Sequence, residues 1–304
     1  MKILITGATG LIGKAIIHEL FSTNHTVNFL TTSKNKLKFY TKANGFYWNP
    51  NKGEIDLNCF TNIDSIIHLS GVSISKLWTK KNKKKILESR VFSTRLLLKS
   101  LILLSNKINL KSIISASAIG VYPSSFDKIH YENDQLLVDS FLQKVVSEWE
   151  NEVLKFSKLN CFIVRFRIGL VLSKNGGLIK SIKTPMLFGL GSAFGSGKQI
   201  QTWIHINDLV SLFINSIENK WDGVYNAVSP NPLTQNELIK ALCQSFNRPF
   251  FIPPIPGFII RKILGEMSVL LLSSHRVSSS KVQKMGFKFE FTNIDKALKN
   301  LFNS

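Results

Sequence analysis

Three glycines spaced three apart, in Gly7-Ala-Thr-Gly10-Leu-Ile-Gly13, follow the aliphatic run Lys2 to Thr6 and lead into apolar residues at helical spacing from Leu11 to Phe21. Strand, glycine turn and helix in that order suit a pyrophosphate. The first glycine permits the tight turn, the second lets a phosphate approach the backbone, and the third lets helix and strand pack closely. The N–H groups that open the helix lack intrahelical acceptors and sit at the positive end of its dipole. The same glycines could form a purely structural turn. A strand before them, a helix after and strand–helix alternation behind favour a dinucleotide.

The end of the second strand bears on which dinucleotide. A carboxylate there suits the ribose hydroxyls of NAD, whereas positive charge suits the 2′-phosphate of NADP. After Leu30 the chain reads Thr31-Thr-Ser-Lys34, with no acid. This favours NADP, with NAD possible, and leaves Lys34 or the hydroxyls to meet the phosphate. A solvated loop lysine is the plainer alternative.

Trp203, His205 and Asp208 form a second compact group, in which a histidine could exchange protons near neutrality. Asp208 suits capping of the helix expected from Leu209 to Ile217, and that reading is preferred. The other histidines, and Cys59, Cys161 and Cys243, are scattered without ligand or disulfide spacing, so no metal site is expected.

Elements must bring these groups together. Thr26 to Leu30 and Ser65 to Leu69 read as strands, Ile86 to Leu104 as a long helix, Ser112 to Ser115 as a strand, Ser140 to Phe156 as a helix and Cys161 to Phe166 as a strand. The alternation predicts an α/β fold, a Rossmann-type doubly wound parallel sheet. Residues 1–230 read as the dinucleotide-binding domain, with a glycine-rich segment at about 170–200 able to cover a substrate. Residues 231–304 read as a smaller C-terminal cap: a proline cluster, an amphipathic helix through Leu272, an alternating strand from Gly286 to Phe291 and a last helix.

At 304 residues and 44% apolar content the chain can bury a core. The N-terminus lacks a signal-peptide pattern, and the most apolar later stretches are interrupted by Lys99 and by Arg261, Lys262 and Glu266. The expectation is a cytoplasmic protein without a membrane partner. Its 39 Lys and Arg against 19 Asp and Glu give +20, which raises nucleic acid as a partner. The densest cluster, Lys80 to Lys85, lacks interleaved aromatics and reads as a solvated helix start, so no specific nucleic acid is expected.

The glycine motif, Asp64-Ser-Ile-Ile-His-Leu-Ser-Gly71, Ser115-Ala-Ser-Ala-Ile-Gly-Val-Tyr122 and Trp203-Ile-His-Ile-Asn-Asp208, in this order, resemble the extended short-chain dehydrogenase/reductase superfamily. More narrowly, the chain resembles its atypical epimerase-family branch with a small C-terminal domain of unknown function, by Gly265-Glu-Met267 and His275-Arg-Val277. The resemblance implies NAD(P)-dependent redox or epimerase chemistry on a small carbonyl, hydroxyl or sugar-like substrate. It also implies a homodimer built on the two long helices. Gly7, Gly10, Leu11, Ile12 and Gly13 would hold the pyrophosphate, and Thr31 and Thr32 the adenosine ribose. Leu69, Ser70 and Gly71 would line the cofactor, Arg90 would reach its phosphates, and Arg167 would lie near the nicotinamide.

Dehydrogenases of that superfamily carry Tyr-x-x-x-Lys, one helical turn apart, so that the ammonium lowers the tyrosine pKa. None of Tyr40, Tyr47, Tyr122, Tyr131 and Tyr225 has lysine four positions later, and Phe141 and Val145 stand where the pair belongs. By the same resemblance Ser117 matches the catalytic serine and Tyr122 could stand in as proton donor. Each could equally serve structure, Ser117 by bonding backbone and Tyr122 by packing its ring. A catalytically silent NADP(H)-binding redox sensor or regulatory module is therefore the alternative function.

Overall fold

A computed structural model describes residues 1–106 and 108–302. They form two compact units. The first joins residues 1–121, 138–167 and 210–225, and the second joins 122–137, 168–209 and 226–304. The second unit thus draws on chain from before residue 230 as well as after it.

The first unit is built on one sheet of β1 (Lys2–Thr6), β2 (Thr26–Thr31), β3 (Ala43–Asn49), β4 (Glu54–Ile55), β5 (Ser65–His68), β6 (Ser112–Ala118), β7 (Phe162–Ile168) and β8 (Gly223–Ala227). Their spatial order is β8-β7-β6-β5-β1-β2-β3-β4. The run β3-β2-β1-β5-β6 pairs in parallel, and β4 folds back antiparallel on β3. The chain steps outward from β1 to β3, then returns beside β1 at β5 and steps out the other way. That reversal is the switch point at which doubly wound sheets bind ligands. Burial on both faces explains why β1 reads as a continuous apolar run, Ile3 to Ile5, rather than as an alternation.

The first-unit helices are α1 (Leu11–Leu20), α2 (Lys80–Leu103) and α3 (Phe141–Leu154). The helix expected from Ile86 begins at Lys80, so the lysine cluster forms its first turns. Thr79 sets that start, its Oγ1 accepting from Asn82 N at 3.2 Å. Ser140 caps α3 in the same way, through Gln143 N.

The second unit holds α4 (Gly177–Leu187), α5 from its first residues (Ile206–Glu218), α6 (Gln235–Ser245) and α7 (Gly257–Leu264). Two expectations fail here. Gly286 to Phe291 is not a strand, because no neighbouring strand pairs with it; Glu290 N and Phe291 N donate instead to the Asp208 carboxylate, at 2.8 and 3.0 Å. The amphipathic helix toward Leu272 is broken at Gly265, whose φ of +55° ends α7. Three short ladders join the unit: Trp203–His205 on Leu170–Leu172, Ile200–Gln201 on Leu233–Thr234 and Arg276–Val277 on Ile129–His130. Among the described residues no helix is long and apolar enough to cross a membrane, and no three His, Cys, Asp or Glu gather as a metal site.

Candidate functional site

Two loops meet at the switch point, one after β1 and one after β5. Gly7 turns with φ of +67°, and a Cβ on it would lie 2.7 Å from Leu69 O. A Cβ on Gly13 would collide with Gly7 O and lie 2.8 Å from Ala8 Cα. Gly10 is the N-cap of α1 and carries no side chain to occupy the helix end, and the first turn holds no acid. The N–H groups of Leu11, Ile12 and Gly13 therefore open the helix uncapped, in the setting that binds phosphate.

The second loop is held by a wire of hydrogen bonds that sequence reasoning missed. Thr6 Oγ1 accepts from Leu69 N at 3.1 Å and Ser70 N at 3.2 Å, and it meets His68 Nδ1 at 2.8 Å. With its acceptor capacity used by two N–H groups, the Thr6 hydroxyl donates its proton to Nδ1. His68 then carries its hydrogen on Nε2 and donates to Thr94 Oγ1 at 3.0 Å, while the Thr94 hydroxyl donates to Arg90 O at 2.7 Å. Burial, with the Arg90 charge nearby, pushes His68 down to about 3, which keeps the ring neutral and the wire intact. The signal available in sequence was a lone histidine inside an apolar strand.

Arg90 supports this loop from beneath. Its Nη1 donates to Val72 O at 3.2 Å and Ile86 O at 2.9 Å, its guanidinium packs over Trp149, and a Cβ on Gly71 would lie 2.9 Å from its Cζ. Burial lowers its pKa to about 10. The arginine expected to reach phosphates is thus engaged in shaping the 69–72 loop, and it is absent from the cleft wall described next.

Both loops open on a cleft of about 500 Å³, which brings together Gly7, Gly10, Thr31, Thr32, Leu69, Ser70 and Gly71. Thr9, Leu30, Trp48 to Asn51, Val72, Ser89 and Ser93 also line it, and no carboxylate does. The four residues at the end of β3 and just beyond it, Trp48 to Asn51, were not anticipated, although ligands of doubly wound sheets bind outside the carboxyl ends of the strands. Lys34 lies over the Tyr47 ring at 5.4 Å, next to the Thr31–Thr32 rim. A dinucleotide fits this arrangement: side-chain-free backbone faces the helix end, and no acid opposes a phosphate.

The positions expected for proton transfer look different. Phe141 meets Trp78 edge to face at 5.0 Å, and Val145 is buried. Ser117 Oγ donates to Glu150 Oε1 at 2.5 Å, so its proton is engaged. Arg167 is also turned to Glu150, with Nε to Oε1 and Nη2 to Oε2 both at 2.9 Å, and Arg165 Nη1 lies 3.4 Å from Oε2. Burial works against the Glu150 charge, but the Arg167 hydrogen bonds outweigh it and hold the carboxyl below its ordinary range. Sequence reasoning missed Glu150, which in sequence is one of three alternating glutamates of α3, Glu148, Glu150 and Glu152, with nothing to single it out.

Tyr122 is buried in the second unit, its hydroxyl donating to Asn226 Oδ1 at 2.8 Å and its ring stacked on His130 at 4.9 Å. Asp208 does not cap its own helix. It lies inside the first turn of α5 and binds the 290–291 backbone, and burial raises its pKa. His205 is buried against Phe291, with ring centroids 3.9 Å apart, and burial lowers it to about 4. Ser117 and Tyr122, the expected acid pair, thus have their hydroxyl protons on protein acceptors.

A model of the NAD dependent epimerase/dehydratase family matches residues 3–227, and one of a domain of unknown function, DUF1731, matches residues 255–301. Epimerase family protein SAR0825 of Staphylococcus aureus strain MRSA252 is 32% identical over 305 residues, spanning 99% of this chain and 98% of its own. Epimerase family protein SERP0438 of Staphylococcus epidermidis is 30% identical over 305 residues, spanning 100% and 99%. The crystal structure of the human epimerase family protein SDR39U1 (isoform 2) with NADPH superposes with a TM-score of 0.86 at 25% identity, over 100% of both chains. On its glycine turn, its doubly wound sheet and these matches, the chain belongs to the NAD dependent epimerase/dehydratase family.

Proposed function

We propose that the chain is an NADP(H)-dependent oxidoreductase or epimerase acting on a small carbonyl, hydroxyl or sugar-like substrate. The observation that carries the reading is the acid-free cleft at the switch point, with an uncapped helix end on one side and the Thr31–Thr32 rim on the other. The NADPH in the human relative supports the same choice of cofactor.

In this reading the Gly10 to Gly13 backbone binds the pyrophosphate. Thr31, Thr32 and Lys34 receive the 2′-phosphate through hydroxyls and positive charge. The loop at Leu69 to Gly71, held by Thr6, lines the ribose. NADP(H), when bound, supplies hydride chemistry at nicotinamide C4. The chain supplies orientation, and any proton has to come from a group other than the residues at 141 and 145.

A second reading, a silent NADP(H)-binding sensor, is favoured by the engagement of Ser117 with Glu150 and of Tyr122 with Asn226. Purified protein is assayed for NADPH oxidation across carbonyl and nucleotide-sugar substrates, with dinucleotide binding measured in parallel. Turnover supports the first reading. Binding without turnover on any substrate, unchanged in Tyr122→Phe, supports the second, and absence of binding overturns both.

A further inference from the structure

The second unit leaves bulky apolar side chains in solvent. Phe188 is 78% exposed, Phe251 73%, Ile263 69%, Phe258 68% and Leu190 60%. They stand on two segments, residues 177–190 with α4 and residues 248–264 through α7. Hydrogen bonds lay the adjoining stretches side by side: Arg248 Nε donates to Leu187 O at 2.7 Å, Ser192 Oγ to Pro253 O at 2.8 Å, and Ile255 N to Ala193 O at 2.8 Å. Helix α7 buries Ile260 alone.

The charge on these segments has one sign. They carry Lys180, Lys183, Arg248, Arg261 and Lys262, all exposed, and neither contains an aspartate or glutamate. Clustered exposed apolar residues on a folded chain mark an interaction surface. Protein interfaces are depleted of lysine relative to the rest of the surface, whereas these segments carry three lysines among the exposed apolar side chains. Phenylalanine, leucine and isoleucine on two segments whose own charges are all lysine and arginine instead match a layer with anionic headgroups above acyl chains, although Glu237 borders Phe251 and exposed Glu266 follows α7. A hollow of about 300 Å³ lies beside Phe251, with Asn236, Glu237 and Lys240 of α6 in its wall.

We infer that residues 177–190 and 248–264 form a docking surface for an anionic phospholipid bilayer, on which the protein sits peripherally. The expectation of no membrane partner rested on the lack of a spanning segment, and a surface-lying patch needs none. The inference stands apart from the dinucleotide cleft and does not depend on turnover.

The test is co-sedimentation of the full chain with vesicles of phosphatidylcholine alone or mixed with phosphatidylglycerol. The expected result is binding to the mixed vesicles only, with affinity falling about tenfold or more in Phe251→Ser/Phe258→Ser. Because both rings are exposed, the variant keeps its melting temperature. Lys80→Gln/Lys81→Gln, which alters the cationic start of α2, keeps its binding. No sedimentation with either vesicle overturns the inference, as does equal binding to both. Binding unchanged in the phenylalanine variant overturns it too, since net charge alone then suffices. A wild-type dimer that the phenylalanine variant dissociates assigns the patch to a second copy and also overturns it.

Discussion

Gly13→Ala is the sharpest perturbation of the glycine turn, because local propensity and packing predict opposite outcomes. Gly13 lies in α1, where alanine is favoured over glycine by about 1 kcal/mol. Its added Cβ would meet Ala8 Cα at 2.8 Å, against an ordinary contact of 3.4 Å or more, and would overlap Gly7 O. Neither neighbour is a rotatable side chain, so α1 has to move away from the turn by at least about 0.6 Å, at an overpacking cost of about 1–3 kcal/mol. Set against the helix gain, that cost leaves a net destabilisation of up to about 2 kcal/mol. A shift of about 0.6 Å or more also spoils preorganised phosphate contacts, so NADPH affinity should fall about tenfold or more, equivalent to about 1.4 kcal/mol. Urea unfolding and fluorescence titration with NADPH measure the two effects. Gly286→Ala is the control: its φ is +86° with nothing within 4 Å, so it loses about 1–2 kcal/mol to left-handed strain while binding stays unchanged. Wild-type affinity in Gly13→Ala, with unchanged stability, would refute the assignment of this turn as a phosphate cradle.

Thr6→Val removes the acceptor of Leu69 N and Ser70 N and the partner of His68, so it should cost about 1–3 kcal/mol and weaken dinucleotide binding; unaltered titrations would contradict the loop's role. Glu150→Ala leaves Arg167 buried without the carboxylate that holds it and should destabilise by about 3–5 kcal/mol in chemical denaturation, with Glu150→Gln milder; a loss under about 1 kcal/mol would show that the network is not structural. Stability should also fall on acidification. His68 and His205 are buried and neutral, held down by burial to about 3 and about 4, against about 6.5 in the unfolded chain. Above that value both states are neutral. Below it the unfolded chain takes up protons that the native state refuses, so stability is lost as pH falls from about 6.5 toward about 4 for His205 and about 3 for His68. At pH 5 each histidine lowers stability by about 2 kcal/mol relative to pH 7, and a flat profile between those values in urea unfolding would contradict their burial.

The first half of the chain was readable because its signals are local. Lys2 to Thr6, the glycines and the helix from Leu11 announce themselves by period and by residue type, and the family resemblance extended them to the loop at Leu69 to Gly71. What sequence could not supply was the direction of individual polar groups. That the Arg90 guanidinium lies on the Val72 and Ile86 carbonyls could not be read from its place in the sequence. Asp208 reads as a helix cap until its carboxylate is found on the 290–291 backbone, more than eighty residues away. The same contact explains the missing strand: Gly286 to Phe291 alternates as a strand does, but a ladder needs a neighbour, and this segment's N–H groups have a carboxylate instead. Glu150 was invisible because its meaning rests on Ser117 and Arg167, which β6 and β7 bring to it from different parts of the chain.

The central claim is that the cleft after β1, β2 and β5 binds a dinucleotide carrying a 2′-phosphate. Side-by-side calorimetric titration of the purified chain with NADPH and NADH tests it most directly. With Thr31, Thr32 and Lys34 at the rim and no carboxylate in the wall, NADPH should bind more tightly by about tenfold, a difference of about 1.4 kcal/mol. Equal or tighter binding of NADH, or no heat with either, would contradict it.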